Sequence, residues 1–101
     1  MKKYKLFFTG EAVDEIKHIA AWYELQKRGL GKRFKTLLKE ELGKIKQNPF
    51  TRSVRYDNVR FAVPAVFPYA AHYTIDEPTR TVTIHAVLGF SQDPEENWLK
   101  Q

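Results

Sequence analysis

A chain of 101 residues, 43% hydrophobic and 14% aromatic, can bury one core and is expected to form a single domain over 1–101. It has no cysteine, which excludes a disulfide framework and a thiolate zinc site and fits a reducing cytoplasm. The net charge of +5 is uneven: residues 27–60 hold eleven of the seventeen Lys/Arg against three acids (Glu40, Glu41, Asp57), which suits an anionic partner, either nucleic acid or an acidic protein segment, or equally a solvated helix face with ordinary surface charge.

The N-terminus, Met1 to Phe8, is basic but has no apolar run long enough for a signal peptide or a membrane span, so a soluble cytoplasmic protein is expected. Lys3 to Phe8 reads as a first strand. Thr9 is a candidate N-cap, with Asp14 and Glu15 near the positive end of the helix it opens. Ala12, Ile16, Ile19 and Tyr23 form one apolar stripe of that helix. His18 falls on its surface, and Trp22 is expected to pack against a neighbouring element. Gly29 and Gly31 bracket Leu30 in a tight connection to a second helix. That helix carries Phe34, Leu37, Leu38, Leu42 and Ile45 on one side and Lys32, Arg33, Lys35, Lys39 and Lys46 over much of the rest. Asn48-Pro49 ends it, because a residue before proline is driven out of the helical region.

The second half reads as two hairpins. Ser53–Tyr56 and Val59–Val63 flank Asp57-Asn58, a pair suited to a primed two-residue turn. Tyr69–Ile75 and Thr81–Leu88 flank Glu77-Pro78-Thr79, and a polar tail with Trp98 and Leu99 follows. The expected fold is α+β, in the order β-α-α-β-β-β-β. Two antiparallel helices pack on one face of a curved, mainly antiparallel sheet.

Side chains alternate along a strand, so register assigns faces. A turn at Asp57-Asn58 places Tyr56 opposite Val59, Val54 opposite Phe61 and Arg55 opposite Arg60, with the arginines away from the helices. In the second hairpin, Tyr69, Ala71, Tyr73 and Ile75 face Val82, Ile84, Ala86 and Leu88 in the core. His72 then lies opposite His85, or diagonal to it. The open face would carry Ser53, Arg55, Arg60, Ala62, His72, Thr74, Thr83 and His85. Two arginines and two histidines there could bind phosphate or do acid–base work near neutral pH, or could be an ordinary solvated face. No metal site or cofactor is expected. Nothing resembles a phosphate loop, a nucleophile elbow or a zinc-hydrolase helix.

Several motifs, taken in order, resemble the RelE/ParE superfamily of toxins from type II toxin–antitoxin modules. They are Ala20-Ala21-Trp22-Tyr23-Glu24, Leu30-Gly31-Lys32-Arg33-Phe34, Ile45-Lys46-Gln47-Asn48-Pro49, Val59-Arg60, Phe67-Pro68-Tyr69, Tyr73-Thr74-Ile75-Asp76, Val82-Thr83-Ile84-His85-Ala86-Val87 and Asp93-Pro94. The resemblance spans nearly the whole chain. It implies a small basic toxin held inactive by a cognate antitoxin whose acidic and apolar segment would meet Lys32, Arg33, Lys35, Lys39 and Trp98.

What the resemblance implies about mechanism divides in two. RelE-like members cut messenger RNA on the ribosome with basic and His/Tyr/Glu side chains of the open face; ParE-like members are linked to inhibition of DNA gyrase. Arg60 matches the strand arginine shared across the superfamily. The end of the last strand departs from the nuclease pattern, reading Val87-Leu88-Gly89-Phe90-Ser91-Gln92, with Gln92 where many relatives have Arg before Asp-Pro. The favoured expectation is a ParE-like toxin that binds its target through Arg52, Arg55 and Arg60. The alternatives are a ribosome-dependent endoribonuclease using Arg60, His85 and His72, and a non-toxic member that only binds an antitoxin.

Overall fold

The computed structural model describes residues 3–90. Their order is β1 (Lys5–Phe8), α1 (Gly10–Gln26), α2 (Leu30–Gln47), a 3₁₀ turn (Pro49–Thr51), β2 (Val54–Tyr56), β3 (Val59–Ala62), β4 (Tyr69–Asp76) and β5 (Thr81–Gly89). The sheet order is β1-β5-β4-β3-β2. β1 joins β5 in parallel, and every other pair is antiparallel. Two helices on a five-stranded mixed sheet is the expected architecture. Trp98, Gln92 and the tail that contains them lie outside the described residues.

The start of α1 is tied to the sheet by one side chain. Thr9 Oγ1 accepts from Ala12 N–H at 3.1 Å, closing the first turn, and donates to the His85 carbonyl at 3.1 Å. Thr9 N–H donates to the Ile84 carbonyl at 3.1 Å. The helical hairpin is set by Glu24. Its two carboxylate oxygens accept from Gly29 N–H at 2.8 Å and Gly31 N–H at 3.0 Å, covering two of the unsatisfied donors at the start of α2. Gly29 has φ +87°, a left-handed conformation that favours glycine. Gly31 sits inside the helix rather than in the connection, pressed against the Ala20 carbonyl of α1.

The helices bury Ala12, Ala20, Phe34, Leu38, Leu42 and Ile45 against Ala62, Ala71, Tyr73, Val82, Ile84 and Val87 of the sheet. Phe67 and Tyr69 bring the Phe-Pro-Tyr turn into this core. The Phe34 ring lies 5.3 Å from Phe67, 5.8 Å from Tyr69 and 5.9 Å from Tyr23. Asn48 ends α2, and its side chain accepts from Phe50 N–H at 3.1 Å. The buried Tyr73 hydroxyl donates to the Pro49 carbonyl at 2.8 Å, holding the 3₁₀ turn to the sheet.

Two bulges decide which side chains reach which face. In the first hairpin Tyr56 pairs with Val59 as expected, with Asp57 and Asn58 at positive φ, but Val54 then pairs with Arg60. Arg55 is the extra residue. In the second, pairing runs from Asp76–Thr81 to Tyr73–Ile84, then shifts so that His72 meets Ala86 and Ala71 meets Val87. His85 is the extra residue there. An inserted residue reverses the alternation beyond it. Val87 therefore joins the helix-side core, whereas Ala86 and Leu88 lie with His72 on the opposite face.

Candidate functional site: a histidine cleft and a lysine-rimmed groove

Beyond Ala86 and Leu88, the observed registers correct the expected open face in the first hairpin, where Tyr56 and Val59, expected on the helix side, lie with Phe61 and His72. Arg60 pairs with the buried Tyr73 and lies on the helix side, not beside Arg55. Its Nη1 donates to the Arg52 carbonyl at 2.5 Å, and its guanidinium lies 5.2 Å from the Phe50 ring centre. Ala62 is in the core. Phe61, expected in the core, lies opposite His72 on the open face. Arg52 and Arg60 form one cluster, in which Arg52 Nη2 meets the buried Glu41 at 2.5 Å. Tyr73 beneath them is pushed up to about 12, chiefly by burial, and stays protonated.

On the open face, Arg55, Phe61, Val63, His72, Leu88 and Phe90 border a cleft of about 400 Å³. Its centre is an aromatic stack. Phe61 lies 4.1 Å from the His72 ring, the Arg55 guanidinium lies 4.8 Å from Phe61 on centres, and the Tyr56 hydroxyl shares a 3.0 Å hydrogen bond with His72 Nδ1. His72 is only 3% exposed. Burial, then the nearby Arg55 and His85 charges, lower it to about 4. It is neutral at pH 7 and, enclosed in this way, is poorly placed to exchange protons with a ligand. His85 also lies on this face, its Nε2 2.7 Å from Thr74 Oγ1, and burial lowers it as well. The histidines share a face, as expected, but they are not paired across the strands.

The His72 environment has a measurable consequence. Because its folded value lies below the ordinary 6.5, protonation favours the unfolded chain. Its stability contribution is complete above about pH 6.5 and is lost as the pH falls towards 4. The loss is roughly 2 kcal/mol once solvent screening is allowed for. Urea unfolding of wild type and His72→Phe at pH 7 and pH 4.5 checks this: the wild type should lose more stability, and equal slopes would remove His72 as the cause.

On the other side of the molecule, the edge strand β1 and the two helices enclose an apolar groove of about 480 Å³. Leu6, Phe8, Ile16, Leu38 and Leu42 line it, and Lys35, Lys39 and Lys46 stand around it. Lys35 and Lys39 are one turn apart and exposed, and Lys32 continues their stripe beside a neighbouring hollow. Arg33, two residues before Lys35, points to a different side of α2. Of the cations expected to meet a partner, the fold thus brings together Lys32, Lys35 and Lys39 and adds Lys46 to them. The contribution of β1 to this groove had no signal in the sequence, because the parallel pairing of β1 with β5 joins opposite ends of the chain.

The profile of the ParE toxin of type II toxin–antitoxin systems (parDE) matches residues 6–94. The chain belongs to the ParE toxin family. Its fold is shared with the toxin–antitoxin systems of the wider RelE/ParE superfamily. The chromosomal ParDE system of Pseudomonas aeruginosa matches at TM-score 0.73 and 14% identity, over 86% of this chain and 96% of that one. The intact Escherichia coli RelBE complex matches at 0.68 and 18%, over 88% and 99%. The RelBE2 complex of Mycobacterium tuberculosis matches at 0.63 and 17%, over 87% and 99%. No curated protein sequence matches the chain. The motifs that carry the resemblance to the superfamily have physical roles in this fold. Glu24 and Gly31 set the helix hairpin, Asn48-Pro49 ends α2 over Tyr73, and Phe67-Pro68-Tyr69 fills the aromatic core. Among the described residues, no helix is long and apolar enough to cross a membrane, and no group of three or more His, Asp or Glu could hold a metal.

Proposed function

We propose that this ParE-family toxin acts by binding a macromolecular target, with DNA gyrase as the family expectation, and that a cognate antitoxin neutralises it from the lysine-rimmed groove. The observation that carries the binding reading is the separation of Arg60 from both histidines by the thickness of the sheet. A phosphate held by Arg60 has no histidine within reach, and the face that does hold the histidines offers one guanidinium, Arg55, beside a buried neutral imidazole. Ribose 2′-hydroxyl activation needs a base and a cation on the same phosphate, close enough to hydrogen-bond.

The antitoxin reading rests on the groove, whose apolar floor and cationic rim suit an amphipathic helix carrying acids along its edges. The toxin–antitoxin complexes among the structural relatives support a partner of that kind.

Expression without antitoxin, followed by two assays, tests the mechanism. Growth should stop, purified protein should inhibit supercoiling by gyrase, and a translating extract should keep its messenger RNA intact. Messenger cleavage lost in His85→Ala and Arg60→Ala, with the fold retained, would replace this reading with the endoribonuclease. Normal growth on expression would instead mark a chain that only binds its antitoxin.

A further inference from the structure

The two helices carry opposite charge. Whereas α2 presents the lysine rim, α1 holds Glu11, Asp14, Glu15 and Glu24 against Lys17 alone. Glu15, His18 and Trp22 recur at i, i+3 and i+7, so they share the α1 face that overlooks the end of β5. With Tyr69, Val87 and Leu88 they border a cleft of about 300 Å³. Glu15 enters it half-buried, and its Oε1 accepts from Val87 N–H at 2.7 Å. That bond makes Glu15 a cap for β5 beyond the end of β1 and explains why the carboxylate is drawn inward.

The bond does not explain the rest of the site. The described salt bridges both belong to Glu41, so Glu15 forms no salt bridge among the described residues. Burial raises Glu15 above the ordinary carboxylate range, the Val87 bond opposes this, and Glu11 adds repulsion. A half-buried carboxylate without a salt bridge is stabilised when a cation arrives. Beside it stands Trp22, 55% exposed, although a tryptophan at this helix position is expected to pack inward. Its ring meets Tyr23 at 5.2 Å edge to face, which leaves much of the indole open. Tyr69 supplies a second aromatic wall, and Leu25, 84% exposed, extends the apolar surface by a turn.

We propose that the Glu15–Trp22 cleft is a docking site for an arginine side chain presented by a basic partner segment. The guanidinium lies over the indole, where the ring quadrupole attracts it, and donates to the Glu15 carboxylate. Arginine fits better than lysine because its planar cation can stack and donate at the same time. The partner is distinct in chemistry from the acidic segment suited to the groove, and the inference does not depend on which target the toxin has.

The test is an NMR titration of the full chain with Nα-acetyl-arginine amide, with Nα-acetyl-leucine amide as the neutral control. Saturable shifts are expected at the Trp22 indole N–H and the Val87 amide with the arginine probe and not with the leucine probe. Glu15→Gln keeps an oxygen for Val87 N–H and removes the charge; it should weaken binding about tenfold or more. Trp22→Leu, at an exposed position, should weaken it several-fold, and Glu11→Gln should leave it unchanged. Equal affinity in Glu15→Gln, equal response to the leucine probe, or the absence of a saturable shift would each overturn the proposal. If Glu15→Gln proves unfolded, unaltered binding by Trp22→Leu overturns it on its own.

Discussion

Replacing Gly31 by alanine is expected to destabilise the protein by about 2 kcal/mol, although the position is helical and alanine is the better helix former. A Cβ built there meets the Ala20 carbonyl oxygen at 2.3 Å, far inside contact distance, and the Glu24 Oε1 at 3.1 Å. The obstacle is backbone of the facing helix, so no rotamer change relieves it. The helices must separate, which loosens the packing around Phe34 and draws the Glu24 carboxylate off the Gly29 and Gly31 N–H groups. Propensity alone would favour alanine by about 1 kcal/mol, and the steric cost exceeds it. Gly43, in the same helix, is the internal control. A Cβ there meets nothing within 4 Å, so Gly43→Ala should stabilise by about 0.5–1 kcal/mol. Thermal unfolding of both variants decides the matter: a melting temperature lowered by about 10 °C in Gly31→Ala and raised by a few degrees in Gly43→Ala is the expected pattern. Parallel shifts in the two would mean that the helix contact is softer than its geometry.

That glycine also shows what kind of information the sequence holds. The helix connection at Gly29 could be seen, because turn chemistry is local, whereas the place of Gly31 inside α2 and the role of Glu24 could not. The Thr9 cap and the Asn48-Pro49 stop were legible for the same reason. The faces of the site were not. Alternation predicts a face only while each residue of one strand meets one residue of the next, and Arg55 and His85 each break that count. Nothing local marks His85 as a bulge. What accompanies it is tertiary: Thr9, 76 residues earlier, donates to the carbonyls of Ile84 and His85 where β1 ends and α1 begins. Beyond that point β5 turns its other side to the helices. One displaced residue moved Ala86 and Leu88 out of the core and placed Val87 in it. The Arg55 bulge separated two arginines that strict alternation sets side by side. Such bulges re-aim side chains at the rim of a site, and here they decide which cations can act together.

The separation of charges leads to the second large effect, at the groove. Lys35→Glu with Lys39→Glu should weaken binding of the cognate antitoxin about 100-fold while leaving the fold intact. Both lysines are exposed and neither forms a described salt bridge, so their reversal costs the folded chain little. Their removal alone should also be mild: exposed ion pairs at a rim are weak, and the double alanine variant should lose no more than about tenfold. Reversal differs because it sets like charges against an acidic segment while the apolar floor of Leu6, Phe8, Leu38 and Leu42 still invites the same contact. The kinetics should carry the same signature. Rim charges steer encounter, so wild-type association should slow as salt rises from 50 to 500 mM, and that dependence should flatten or invert in the reversed variant. Calorimetry and stopped-flow mixing with purified antitoxin measure both quantities. A double reversal that binds with wild-type affinity and unaltered salt dependence would place the antitoxin on another surface. The loss expected here, together with a mild effect of the double alanine variant, would identify the lysine rim as a device for choosing the partner and the apolar floor as the source of most of its hold.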